Sequence, residues 1–286
     1  MALLDAFCRW RSDAIGVATF DHGTGAAATR AAVLVSTVAA RRGLHVHLGR
    51  RHSGGSAAEA AWRTDRWLFL RELAISHEAT VVTAHTLDDQ LETVVMRALR
   101  DAKRTSARGL AAMYATAGEG PIARPLLDVR RSDVERYVLA RALAYIDDPS
   151  NSSRAFLRNR VRMDLLPALE REAPGFSRAM LGIACRAAQW RAELDLIVDG
   201  LGAKRLPTRT LMVPARVLRQ FDPAGLAVLW PALAERVGVV LDRRGTERLV
   251  AFTTRARPAG RVPLSGGARV ECTGPTFVVT ASPVRE

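Results

Sequence analysis

Residues 79–100, ATVVTAHTLDDQLETVVMRALR, change their period in mid-stretch. The opening ATVVTA is an apolar, partly β-branched run of strand length. From Thr86 onward, Leu91, Val94, Val95, Ala98 and Leu99 recur at the three-and-four spacing of a buried helical stripe. A strand that passes directly into a helix is half of a βαβ unit, and the same alternation runs upstream. IGVATF (15–20) reads as a strand ending at Asp21-His22-Gly23, a helix over 27–42 stops at Gly43, LHVHLG (44–49) reads as a second strand, and a further helix covers about 57–74. Strands alternating with helices predict an α/β fold, a parallel sheet with flanking helices. The first element is instead an amphipathic helix, with Leu3, Leu4, Phe7 and Trp10 on one side.

Beyond residue 100 the chain turns arginine-rich, with helices expected over about 132–142 and 156–170 and a long one over 175–199 that ends at Gly200 and Gly202. Helices near 223–237 and 245–253 and short strands at 261–264, 268–272 and 277–281 follow. The expected organisation is an α/β domain over 1–172, a helical linker over 173–206 and a small α+β domain over 207–286.

At 48% hydrophobic and 25% charged residues, the 286-residue chain can bury a core and is not of disordered composition. No run approaches the ~18 apolar residues of a membrane span. MALLDAFCRWRSDA at the N-terminus lacks the apolar core and cleavage site of a secretory signal. Cys8, Cys185 and Cys272 are too scattered for a disulfide framework or a metal knuckle. A reduced, cytoplasmic protein is expected, with no membrane partner. The net charge is +13, and only Lys103 and Lys204 are lysines. GC-rich codon usage accounts for arginine as the cation, whereas a polyanionic partner would account for the excess itself, because the planar guanidinium suits phosphate. Composition alone leaves both readings open.

The densest chemistry lies where the third strand ends. His85 stands just before the helix, and Asp88, Asp89 and Glu92 fall on its first two turns, at the strand end where open α/β sheets bind ligands. Thr86 and Asp89 have capping-box spacing, so one acid there needs no functional explanation. Asp88 and Glu92, four apart, are a like-charge pair that costs a few tenths of a kcal/mol unless a positive charge is near. Mg²⁺ carrying nucleotide phosphates would meet that need, since it takes one or two carboxylates and completes its shell with phosphate and water. Further along, FLRNRVRMDLL (156–166) puts Leu157, Val161 and Leu165 on an apolar ridge and Arg158 and Arg162 on a basic one beside it, a solvated face or an anion site. Asp148-Pro149-Ser150-Asn151 is a turn cluster that would fix the entry to this helix.

TAHTLDDQLET (83–93) closely resembles the motif of the tRNA(Ile)-lysidine synthases, members of the PP-loop (N-type ATP pyrophosphatase) superfamily with a Rossmann-like sheet. EAAWRTDRWLFLRELA (59–74), RPLLDVRRSDVERYV (124–138) and DDPSNSSRAFLRNRVRMDLLPALE (147–170) are similar to three further family segments, in family order. GRVPLSGGARVEC (260–272) is similar to the short β segment after the family's helical linker. The resemblance implies a carbon–nitrogen ligase in which ATP adenylates the wobble cytidine of tRNA(Ile) with a CAU anticodon and L-lysine displaces AMP at C2. It implies His85, Asp89 and Glu92 as catalytic residues, and Asp88, Arg63, Arg66, Arg158, Asn159 and Arg160 around ATP or lysine. Asp88 and Asp89 would face Mg²⁺. A homodimer is compatible with it.

The family's phosphate loop, S-G-G-x-D-S, has no counterpart at the end of the first strand. Ser53-Gly54-Gly55-Ser56 lacks the aspartate, with Ala57 in its place, and precedes the EAAWR helix, so it reads as a linker. In the family a helix reading roughly M-A-L-L follows that loop, and this chain opens MALLDAF. The expectation is that Met1 is internal to the functional protein and that a chain starting there binds ATP poorly. The segment 100–113 is longer and poorer in glycine than its family counterpart, though Lys103, Arg104 and Arg108 suit phosphate contacts. Two alternatives stay open: another PP-loop tRNA-modifying enzyme, such as a thiolase, and an inactive tRNA-binding remnant.

Overall fold

The structure, a computed structural model, describes all residues except 11–14, 22–24, 51–58, 101–108, 115–121, 148, 256–258 and 283–286. Side chains over 59–64 and at 100, 109, 149, 150 and 259 also lie outside the description. The chain divides into two compact units, Met1–Glu92 with Gly120–Pro174, and Thr93–Glu119 with Gly175–Glu286.

In chain order the elements are α1 (Ala2–Trp10), β1 (Gly16–Asp21), α2 (Ala26–Arg41), β2 (His45–Arg50), α3 (Glu59–Ser76), β3 (Val81–Val82), α4 (Leu87–Arg100), β4 (Ile122–Ala123), α5 (Arg131–Ala140) and α6 (Leu157–Arg160). A π-helical turn (Val161–Leu165) joins α6 to α7 (Leu166–Glu172). The expected α/β architecture is present. β1 runs parallel to β2, with Gly16 opposite His45 and Asp21 opposite Arg50, and β3 runs parallel to β4. α2 is the crossover between the first pair, and Gly43 (φ +69°) ends it in the left-handed conformation that glycine adopts without a Cβ penalty. Asp5, on α1, is buried among polar partners. It accepts from Arg42 Nη2 (2.6 Å), after α2, and from the Tyr137 hydroxyl (2.8 Å), on α5, with Arg141 Nε at 3.5 Å. One carboxylate thereby joins three helical segments.

In the second unit Val94, on the later part of α4, packs with Ala112 and Ala184. Ala98 and Leu99, expected on the same buried stripe, are exposed, because this small core reaches only the turn that holds Val94 and Val95. α8 (Phe176–Gly200) is followed by β5 (Lys204–Leu206), β6 (Thr210–Pro214), α9 (Ala215–Leu218), α10 (Pro223–Glu235), α11 (Arg243–Arg255), β7 (Ala259–Pro263), β8 (Arg269–Thr273) and β9 (Thr276–Thr280). The strands form an antiparallel sheet in the order β5-β6-β9-β8-β7. Its inner face carries Val213, Val270, Phe277 and Val279 into a core with Leu226, Trp230, Leu233 and Leu249. Asp222 and Asp242 cap α10 and α11 by accepting from the amides of Gly225 (2.7 Å) and Gly245 (2.6 Å). Strands β5 and β6 were not expected. Their hairpin turns through Arg209 at φ +52°, where glycine or asparagine would have signalled the turn.

Candidate active site

α4 begins with its expected cap. The Thr86 amide (2.9 Å) and hydroxyl (2.8 Å) both donate to Asp89 Oδ2, and the Asp89 amide returns a weaker bond to the Thr86 hydroxyl (3.4 Å). This fixes the first turn and leaves Asp89 Oδ1 facing Arg131, whose Nη2 donates to it at 2.9 Å. Burial alone would push the Asp89 carboxyl up. The Thr86 hydrogen bonds, then the charges of Arg131 and His85, outweigh it and hold the carboxyl below the usual carboxylate range. His85 is half-buried, with Nδ1 2.8 Å from the Thr83 hydroxyl.

Asp88 caps a different helix. Its Oδ2 accepts from the Arg131 amide at 2.7 Å, the first amide of α5, whose own N-cap residue Arg130 offers no side-chain bond. The Leu87 amide donates to the Val129 carbonyl (2.9 Å), so the N-termini of α4 and α5 are laced to each other. The positive charge that the Asp88–Glu92 spacing calls for is therefore supplied by the protein.

Glu92 is 1% exposed, and Arg162 grips it with both arms of its fork, Nε to Oε1 at 2.6 Å and Nη2 to Oε2 at 3.1 Å. Arg158 Nε stands 3.7 Å from Oε2 and Arg131 Nη2 3.8 Å from Oε1. The hydrogen bond to Glu92 raises the Arg162 guanidinium above its ordinary value. Arg158 and Arg162 are thus the expected basic ridge, aimed at the acids of α4. Arg162 sits in the π turn while Val161 beside it is buried, and such turns recur at functional sites.

Arg66, on α3, is half-buried. Burial, then the like charge of Arg158, lowers its guanidinium below the ordinary value. No carboxylate among the described residues pairs with it. Asn159 is buried, with its side-chain amide donating to the Ser153 carbonyl (2.8 Å), which holds the turn before α6, and Arg160 is exposed. The Arg63 side chain, His22, Asp148 and Ser53–Ser56 lie outside the described residues. Of the sequence-expected residues, Asp88, Asp89, Glu92 and Arg158 come together, with His85 beside Asp89. Arg131 and Arg162 complete the set and were not expected in it. Arg162 carried a signal, its place on the ridge with Arg158, whereas Arg131 carried none.

Asp89 and Glu92 are thus clasped by the guanidiniums of Arg131, Arg158 and Arg162 at a parallel-strand end, with Asp88 beside them on the amide of Arg131. Residues 1–169 match the PP-loop domain family, which places the chain among the PP-loop proteins, a class that uses ATP. It is 35% identical over 267 residues to a tRNA(Ile)-lysidine synthase of Bradyrhizobium sp. (strain BTAi1), covering 86% of this chain and 72% of that one. It is 29% identical over 260 residues to one from Parasynechococcus marenigrum, with coverages of 89% and 76%. Against one from Thermus thermophilus the identity is 33%, over 91% of this chain but 51% of the relative. The chain belongs to the tRNA(Ile)-lysidine synthase family, carbon–nitrogen ligases of tRNA modification. Among solved structures, the U34-tRNA thiolase NcsA from Methanococcus maripaludis shares the fold, with a TM-score of 0.53 over 66% of this chain and 68% of that one, at 14% identity. No helix of the described residues is long and apolar enough to cross a membrane.

Proposed function

We propose that this protein ligates L-lysine to C2 of the wobble cytidine of a tRNA(Ile) with a CAU anticodon. ATP transfers AMP to the C2 oxygen with release of pyrophosphate, and the lysine ε-amine then adds at C2 as AMP leaves with that oxygen. The observation that carries the reading is the buried Glu92 beside Asp89, a seat for one cation with guanidiniums around it. Asp89 and Glu92 hold the lysine ε-ammonium. His85, anchored through Nδ1 by Thr83, accepts the proton that the amine must lose before attack. Arg66 and Arg158 face the phosphates and neutralise the charge that develops on the leaving pyrophosphate.

Mg²⁺ belongs to the same proposal. Thr86 engages Asp89 Oδ2, and Oδ1, which faces the Arg131 cation, is the oxygen given to the ε-ammonium, so Asp89 is left out of the metal set. Asp88 gives only Oδ2 to the Arg131 amide, and a single carboxylate of this kind suits Mg²⁺, whose other ligands come from phosphate and water. Among the described residues no three His, Cys, Asp or Glu side chains converge on a protein-only metal site. Bound there, the ion would offset polyphosphate charge. We assign residues 1–172 to catalysis, 173–206 to a helical linker and 207–286 to tRNA binding, supported by exposed Arg205, Arg261 and Arg269 on the antiparallel sheet.

The test is transfer of labelled lysine to a CAU tRNA(Ile) transcript across a range of ATP concentrations, with a GAU transcript as control. Glu92→Gln and Asp89→Asn are expected to reduce transfer by about 100-fold or more, the scale of losing an electrostatic catalytic group. Equal transfer to the two transcripts, or activity unchanged in Glu92→Gln, would refute the assignment.

A further inference from the structure

The lysine seat is already taken. Glu92 presents two oxygens in a buried position, and Arg162 engages both of them while Arg131 and Arg158 close the flanks at 3.8 and 3.7 Å. An ammonium cannot reach this carboxylate unless a guanidinium withdraws. Exchanging one cation for another keeps Glu92 neutralised throughout, so the swap avoids the large penalty of a bare buried carboxylate. Its cost falls on the departing arginine, which must find another anion or water. Arg162 has such a route, since its side chain keeps 27% exposure. Its backbone lies in a π turn, and return of that turn to α-helical pairing shifts the register by one residue, about 100° around the axis. Three guanidiniums, those of Arg131, Arg158 and Arg162, crowd the single Glu92 carboxylate, and half-buried Arg66 feels the like charge of Arg158, so cations gather here.

We propose that Arg162 is the residue that sets the order of substrate binding: it occupies the lysine seat on Glu92 until a polyphosphate beside Arg66 and Arg158 draws it away. This rests on the assignment of lysine to Asp89 and Glu92 made above, and adds that the two substrates are coupled through one arginine. Polyphosphate binding then strengthens lysine binding, and by linkage lysine strengthens polyphosphate binding by the same factor.

Calorimetric titration of the full chain with L-lysine, alone and with inorganic pyrophosphate, tests this without turnover. Lysine is expected to bind about 10-fold or more tightly when pyrophosphate is present, with the reciprocal gain for pyrophosphate in the presence of lysine. Arg162→Met is expected to bind lysine without pyrophosphate and to lose the coupling. Should that variant fail to fold, Arg162→Lys, which keeps the charge but not the two-armed grip, is expected to show reduced coupling. A wild-type coupling factor of one, or a folded Arg162→Met that no longer binds lysine, would overturn the proposal. Glu92→Gln separates the two levels. If it abolishes lysine binding while wild-type coupling is absent, only the binding order fails. If Glu92→Gln binds lysine as well as the wild type, or if the wild type binds none under either condition, the seat itself is wrong and both proposals fall.

Discussion

Replacing Glu92 with glutamine isolates the charge of the most buried acid in the site. The two side chains have nearly the same shape, so no cavity opens, and the amide oxygen can still accept one of the two bonds from Arg162. Breaking a buried ion pair by removing one partner costs about 3–5 kcal/mol. Two features pull the figure down here. Arg162 and Arg158 retain 27% and 28% side-chain exposure, so water reaches the abandoned guanidiniums, and one hydrogen bond survives. We expect a loss of about 2–3 kcal/mol in the first unit. For a unit of this size the melting temperature should fall by about 4–12 °C. The assay is urea and thermal unfolding followed by circular dichroism and tryptophan fluorescence, with the transitions of the two units fitted separately. Adding Arg162→Met to Glu92→Gln removes the stranded cation and should restore most of the loss, giving a coupling energy of about 1.5–3 kcal/mol. A Glu92→Gln protein within about 0.5 kcal/mol of the wild type would mean that the pair is solvated like a surface salt bridge, and the buried clasp would be refuted.

Three further outcomes follow from groups elsewhere. Burial alone would raise the Asp5 carboxyl, but the Tyr137 and Arg42 hydrogen bonds and the Arg42 and Arg141 charges hold it below its ordinary value. Its stabilisation is therefore complete above about pH 4 and lost as pH falls through the lowered value, and Asp5→Asn should flatten the acid limb of the stability profile measured by urea titration. His47 is pushed down by burial and by His45 and His77, whose rings lie 4.4 and 4.7 Å from its own. The unfolded chain takes up that proton first, so stability declines as pH drops below roughly 6.5, and melts of His47→Asn should show a weaker slope there. In the second unit the Trp230 indole N–H donates to the Thr253 hydroxyl (2.8 Å) in a fully buried pair, and Thr253→Val strands that donor. Chemical denaturation should report a loss of about 1–3 kcal/mol, and a neutral result would show that the indole finds another acceptor.

What was legible in the sequence follows the range of the forces involved. The α/β alternation and the buried stripe at Leu91, Val94 and Val95 are local periodicities, and they appear where expected. The Thr86–Asp89 cap is likewise written in four adjacent residues. β4 is two residues long and is strand only because β3 lies beside it, and β6 owes its place to β9, so neither carries enough pattern of its own. The same limit applies to the site. The spacing of Asp88 and Glu92 demands a positive neighbour, but metal and arginine answer that demand equally well on paper. Arg131 lies 43 residues from Asp88, and Arg162 lies 70 from Glu92. Only the packing of α5 and the π turn against α4 shows which cations arrive.

The guanidinium enclosure around Asp89 and Glu92 has a chemical consequence of its own. A carbon activated for attack by a primary amine is an electrophile, and any neutral amine within reach would consume it. Arginine stays protonated at every working pH, so Arg131, Arg158 and Arg162 around these carboxylates, and Arg66 near Arg158, would border such a carbon without competing for it. Lysine in those positions would supply the same charge and also a rival nucleophile. An amine-reactive probe would leave these four side chains unlabelled, and the whole sequence offers it only two lysine side chains, Lys103 and Lys204.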